Sequence, residues 1–316
     1  MVKIKRKVIQ IANSTQLISL PRKWSQQYGI NKGDEVNVDE QGSKIIISIE
    51  KAAELKSVEI DVTGLDRTTI IYYIQTLYRM GFDEIKISFN TPLTAYFRTH
   101  ENVNVITVIN KEVSRLIGYE IIQQKENFCI IKDISTTSIK EFDNVLRRIF
   151  LLLNDASNDL IKGVKEKNWS TIETIEEKHD SITKFISYCS RLLNKYGYPD
   201  HKKTIVLYNI LASMDRIIDV IKNAGRDVLK LKHGFNNKTL QLMELVDDTI
   251  KLFSEFFYKY DLKKAVVMYK NRNDMLELLY QYKNKIPAEE LIIVTKMEHI
   301  FELLTEMQVG RMGIEH

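Results

Sequence analysis

The sequence predicts a multidomain chain: a short β-rich head, a small α+β middle domain and an all-α tail. Three observations predict it. The first fifty residues are basic and break into short apolar stretches between polar or glycine-containing turns. The next eighty alternate strand-like and helix-like apolar spacing. From Ser138 onward apolar residues recur at intervals of three and four almost without interruption. The expected boundaries are 1–52, 56–135 and 138–316. Composition agrees: 316 residues, 44% hydrophobic and 28% charged, are enough for about two to three core-forming domains. Cys129 and Cys189 are the only cysteines. They stand far apart in no ligand motif, which argues against a disulfide framework or a zinc ribbon and for a reducing compartment. No apolar run approaches the ~20 residues of a membrane helix, and no signal-peptide core opens the sequence. A cytoplasmic protein is the expectation.

In the head, strands are expected at Val8 to Ile11, Leu17 to Leu20, Glu35 to Val38 and Ile45 to Ile49. One short helix interrupts them, with Pro21 suited to its first position because a missing N–H is harmless there. So small a unit has little core of its own, which makes dimerisation the expected remedy. Its charge is uneven. The first 23 residues hold six Lys or Arg and no acid, and residues 1–52, with nine basic and five acidic side chains, carry the whole net charge of +4. So local an excess indicates one cationic face with a polyanionic partner. Lys5, Arg6 and Lys7 precede the first strand and Arg22 and Lys23 open the short helix. A dimer would place ten such cations across one face, which suits the phosphates of double-stranded DNA. Asn13, Ser14, Thr15 and Gln16 in the intervening loop offer neutral donors and acceptors for bases or phosphates. A solvated basic strand in a pure dimerisation module is the alternative.

In the middle domain the pattern predicts a strand at Val58 to Val62, a helix capped by Asp66 and closed at Gly81, and a strand at Ile85 to Phe89. A helix around Val105 to Leu116 and a hairpin of Tyr119 to Gln123 with Phe128 to Ile131 complete it; it shows no catalytic motif and suits a spacer or interaction module. The tail reads as six helices: Ser138 to Lys167, Ser170 to Tyr196, Asp200 to Lys232, Asn236 to Tyr260, Leu262 to Lys285 and Ala288 to Ile314. Short loops make neighbours antiparallel. Faint similarity, "HDSITKF" with "NDMLELL" and "SMDRIIDVI" with "KMEHIFELL", divides them into two repeats of three, about 138–232 and 236–316.

The carboxylates of the tail carry the remaining chemistry. Glu176 with Asp180, Asp215 with Asp219, and Glu298 with Glu302 are spaced four apart, one helical turn on one face. Like charges so placed invite a cation. Hard oxygen donors suit iron, manganese, magnesium or calcium, whereas basic neighbours such as Arg216 or Lys178 would serve the same end without a metal. Glu176 and His179 form one Glu-x-x-His pair, but the second pair that a di-iron carboxylate enzyme needs is missing. No glycine-rich phosphate loop, nucleophile elbow or His-Glu-x-x-His motif occurs, so no catalytic residues are assigned.

Two resemblances follow from these residues. "KRKVIQIANSTQLISLPRKWSQQYGINKGDEVNV", with its basic first strand, "SLPRKW" helix start and "GINKGDEV" turn, resembles the AbrB/SpoVT/MazE swapped-hairpin DNA-binding domains. Asn13 stands where glycine is usual in the first turn. That resemblance implies a β swapped-hairpin head in which two chains interleave into one barrel. Residues 138–316 look like the PhoU family of phosphate-uptake regulators, whose two three-helix repeats carry acidic motifs that in some members bind iron or zinc. Carried over by position, that resemblance implies one metal site at Glu176, Asp180, Asp215 and Asp219 and a second at Asp274, Glu298 and Glu302, with Lys270 standing where a further carboxylate is expected. Iron, zinc or another divalent ion would be the cofactor. The combination resembles archaeal PhoU-like regulators. It implies a homodimeric DNA-binding regulator of phosphate uptake. The alternatives are an adaptor for a phosphate transporter or sensor kinase whose head only dimerises, and, behind it, a metal-carboxylate oxidase.

Overall fold

In the head, strand β1 (Ile9–Ile11) pairs antiparallel with β2 (Thr15–Leu17), Ile9 opposite Leu17 and Gln10 opposite Gln16. This is a computed structural model, and it describes residues 5–11, 15–48, 55–282 and 284–315. Helix α1 (Arg22–Gln27) follows, with Pro21 in extended conformation (φ −63°, ψ 122°) as its N-cap, one place before the position expected for it. Strands β3 (Asn37–Gln41) and β4 (Lys44–Ser48) form a second antiparallel hairpin. β3 begins later than its apolar pattern suggests, because the preceding turn is closed by side chain and backbone together. The Asn31 N–H donates to the Asp34 carboxylate at 2.8 Å and the Asp34 N–H to the Asn31 carbonyl at 3.2 Å.

Nothing in the described head is buried. Val8, Ile9, Ile11, Leu17, Ile18, Val38, Ile45 and Ile46 all stand exposed. Two hairpins with bare apolar side chains lack the core that independent stability requires.

The chain divides into two compact units, Met1–Leu55 and Lys56–His316. The second begins with β5 (Ser57–Asp61), α2 (Arg67–Arg79) and β6 (Glu84–Ser88), a parallel βαβ crossover. A two-stranded hairpin of β7 (Leu93–Tyr96) and β8 (Glu101–Asn104) comes next. Then follow α3 (Val105–Val113), β9 (Tyr119–Gln124) and β10 (Phe128–Asp133), and the main sheet runs in the order β5-β6-β10-β9. Asp66 caps α2 by accepting from the Thr68 N–H at 2.9 Å, and Asn104 caps α3 by accepting from the Ile106 N–H at 3.0 Å. Ile60, Ile70, Ile74, Ile85, Ile87, Ile109 and Ile131 fill the space between sheet and helices.

The helical part contains α4 (Phe142–Glu166), α5 (Trp169–Glu173), α6 (Ile175–Tyr196), α7 (His201–Leu231), α8 (Asn237–Tyr258), α9 (Leu262–Tyr282) and α10 (Leu291–Ile314). The second expected helix is broken at Thr174. Its hydroxyl donates to the Thr171 carbonyl at 2.8 Å, a local bond that competes with the helical ladder. Otherwise the six helices stand where apolar spacing puts them. α4, α6 and α7 pack as one group, α8, α9 and α10 as another, and the two groups join through α7 on α10 and α4 on α8. One apolar core, including Phe142, Phe150, Phe253, Phe256 and Phe301, runs through both. No helix of the described residues is long and apolar enough to cross a membrane.

Arg191 of α6 fastens the sheet domain to the bundle. Its side chain is 0% exposed and donates to the Phe82 carbonyl at 2.7 Å, the Tyr78 carbonyl at 3.0 Å and the Asp133 carboxylate at 2.6 Å. Its guanidinium also lies 5.0 Å from the Tyr78 ring centre and 5.1 Å from that of Tyr119. Lys195, one turn further along α6, donates to Asp83 at 2.5 Å. These contacts hold α2 against α6 and so form the walls of the cleft described next.

Candidate functional site

Two regions carry charge beyond structural need. The first is the head, where Lys5, Arg6 and Lys7 precede β1, Gln16 lies in β2 and Arg22 and Lys23 open α1, all exposed. Among the described residues none of these five cations has a carboxylate partner. Asn13 and Ser14 lie outside the described residues.

The second is a cleft of about 750 Å³ between α2 and the pair α6–α7. It gathers the whole first carboxylate set: Glu176 and Asp180 from α6, Asp215 and Asp219 from α7. Each of the four meets a cation. Arg79 donates to Asp215 at 2.9 Å, Lys222 to Asp219 at 2.5 Å and Arg115 to Asp180. Arg226 grips Glu176 with two nitrogens, one of them Nη2 at 2.9 Å from Oε2. Arg79 and Arg115 come from the sheet domain, so half of this pairing crosses from one fold to the other. The last residue of α2 and the turn after α3 supply them.

The pairing sets the acidities. Hydrogen bonding by His179 holds Asp180 below the ordinary carboxylate range against the opposing effect of burial, with Arg115 adding to the depression. Burial works to raise Asp219, but the hydrogen bonds of His179 and Lys222 outweigh it and depress its pKa to about 2. Burial opposes protonation of His179, yet bonds to Asp180 (3.1 Å) and Asp219 (3.0 Å) raise its pKa overall. Behind Arg115, Glu112 is 2% exposed; burial raises its pKa, although Gln75 donates to it at 2.8 Å.

A metal ion does not fit this arrangement. A hard divalent cation needs several free oxygens converging within coordination distance. Here the four carboxylates are taken by guanidinium and ammonium groups, and among the described residues no group of three or more His, Cys, Asp or Glu is placed to hold an ion. The second set is looser. Glu302 is gripped by Arg272 at 2.7 Å, while Asp274 on α9 and Glu298 on α10 stand half-buried.

The carboxylates were legible from their spacing; their partners were not. Arg67, Arg79, Arg98 and Arg115 are all the arginines of residues 56–135, and every one of them lines this cleft. That convergence depends on the docking of α2 on α6, which no spacing within the sheet domain announces. The near parity of arginine and lysine there, four against five in a chain with 13 arginines and 33 lysines, is the one trace it leaves in the sequence.

A search of curated proteins found no match to this chain, and none was found among solved structures. Residues 9–54 match the family described as Antidote-toxin recognition MazE, bacterial antitoxin. The match covers the head alone, which is accordingly similar to MazE-type domains and is joined to a unit in which helices predominate.

Proposed function

We propose that the chain is a dimeric DNA-binding transcriptional regulator whose helical unit receives a signal. Its resemblance to the phosphate-uptake regulators makes phosphate status that signal. The observation that carries the reading is the MazE match over residues 9–54, coincident with five exposed cations that lack carboxylate partners among the described residues. Those cations would neutralise DNA phosphates and Gln16 would reach a base edge or a phosphate. The bare apolar side chains of both hairpins supply the surface on which a second head would close. No step of this reading is catalytic, and none runs through a metal.

Specific binding of the full chain to DNA upstream of its own and neighbouring genes, across a salt series, tests it. Affinity should fall steeply with salt, and Arg22→Ala with Lys23→Ala should abolish specific binding and flatten the salt slope of whatever non-specific binding is left. A folded dimer that binds no DNA at low salt would overturn the regulator. Two readings then remain. One is an adaptor that docks on a transporter or kinase. The other is an antitoxin-like role, favoured by the printed description of the matching family and seen as capture of a partner protein by the head.

A further inference from the structure

We infer that the cleft between α2 and the α6–α7 pair is a binding site for a small phosphorylated ligand carrying a planar ring, of the nucleotide class. The inference stands apart from the DNA reading, since it concerns the helical unit alone.

Charge gives the first argument. Six cations line the cleft (Arg67, Arg79, Arg98, Arg115, Lys222 and Arg226) against four carboxylates. The four ion pairs described above use Arg79, Arg115, Lys222 and Arg226. Arg67 and Arg98 are left over, with no carboxylate partner among the described residues. Two unmatched guanidiniums on one wall of a concave site are more than fold stability asks for. Their planar forks suit phosphate oxygens.

The second argument is the aromatic lining. Arg67 is held in place by lying 4.3 Å from the Tyr96 ring centre, so it is oriented before any ligand arrives. Tyr72, further along α2, is 63% exposed and lines the same cleft. A large ring left so open beside free guanidiniums offers a surface on which a nucleobase can stack.

Size and continuity agree. About 750 Å³ lies within the ~300–1,000 Å³ usual for small-molecule sites. An adjoining groove of about 550 Å³ shares Arg98, Asn223 and Arg226 and adds Lys230 and Lys296 against Asp227 alone. The positive surplus therefore runs on from Arg98, as a chain of two or three phosphates would require. The carboxylates of α6 and α7 have lone pairs to spare for a sugar hydroxyl or an amino group, which a bare polyphosphate lacks. They also repel a plain polyanion, and that favours a ligand that is anionic at one end only.

Calorimetric titration of the full chain at low salt with ATP, ADP, AMP, sodium pyrophosphate and citrate tests the inference. At least one nucleotide should bind about tenfold or more tightly than pyrophosphate or citrate, since stacking adds to the phosphate contacts. Arg98→Glu, at an exposed position, should weaken it by about tenfold or more with the melting curve unchanged. Tyr72→Leu should weaken nucleotides and leave pyrophosphate as it was. Arg22→Ala with Lys23→Ala, in the head, should leave nucleotide binding untouched. Absence of binding by all three nucleotides up to millimolar concentration would overturn the site. So would binding indifferent to Arg98→Glu, or binding lost with the head variant. Pyrophosphate binding as tightly as the nucleotides, with Tyr72→Leu silent, would overturn the nucleotide class.

Discussion

Arg191 shows how much a single side chain settles in the helical unit. Its charge is wholly buried yet answered by Asp133, two backbone carbonyls and two aromatic rings. A buried pair of this kind adds little over an apolar substitute, but removing one partner strands the other. Arg191→Ala is expected to cost about 3–5 kcal/mol in urea unfolding, and Arg191→Lys to recover only part of it, because an ammonium cannot span the same acceptors. Asp133 makes the arrangement sensitive to acid. Burial tends to raise its pKa, but hydrogen bonds from Ser135 and Arg191 bring it below the ordinary value. A carboxyl depressed in the folded state stabilises fully above its unfolded pKa, about 3.9, and ceases to do so as pH falls through the folded value. Stability should therefore drop on acidification below about pH 4, and the drop should be shallower in Asp133→Asn, which has no such proton to take up. Equal slopes for the two proteins in pH-dependent unfolding would put the acid sensitivity elsewhere.

At the scale of elements, two opposing effects meet at Gly163 in α4. Alanine is the better helix former by about 1 kcal/mol. A Cβ at this position would come within 2.4 Å of Ile172 Cγ1 and 3.1 Å of the Asn168 carbonyl oxygen. Overpacking of that order costs about 1–3 kcal/mol, so Gly163→Ala should lower the melting temperature; a rise would mean that α5 yields freely. Apolar spacing located all six helices of the tail because each buries a broad stripe, as Val145, Ile149, Leu152 and Leu153 do in α4. It ran straight through Thr174, since a break imposed by one hydroxyl does not alter the stripe. It passed over β7 and β8 because four-residue strands carry too few residues to show a period. The cleft was half legible for a related reason. Glu176, Asp180, Asp215 and Asp219 share faces by local geometry, whereas Arg79 and Arg115 reach them only through packing between elements far apart in the chain.

Across the whole molecule the two units contrast in how they could be stable. The Lys56–His316 unit holds two apolar cores. The head has none among its described residues, and Ile9 (56%), Val38 (56%) and Ile45 (67%) remain largely open to water. Burying such a side chain contributes about 1.5–3 kcal/mol, so several from each of two heads amount to a firm interface. Charge belongs to the same argument, because two heads joined this way double the cations offered to one DNA site, and the salt dependence of binding grows with each phosphate neutralised. Ile9→Asp with Ile45→Asp places four charges in that interface, counted over two chains. The double variant is expected to sediment as a monomer at micromolar concentration where the parent is a dimer. Its helical circular dichroism should be unchanged, since the helical unit keeps its own cores, and DNA affinity should fall with dimerisation. A dimer that survives both substitutions would place the contact between copies in the helical unit, and the head would then act on DNA as two separate, weak modules.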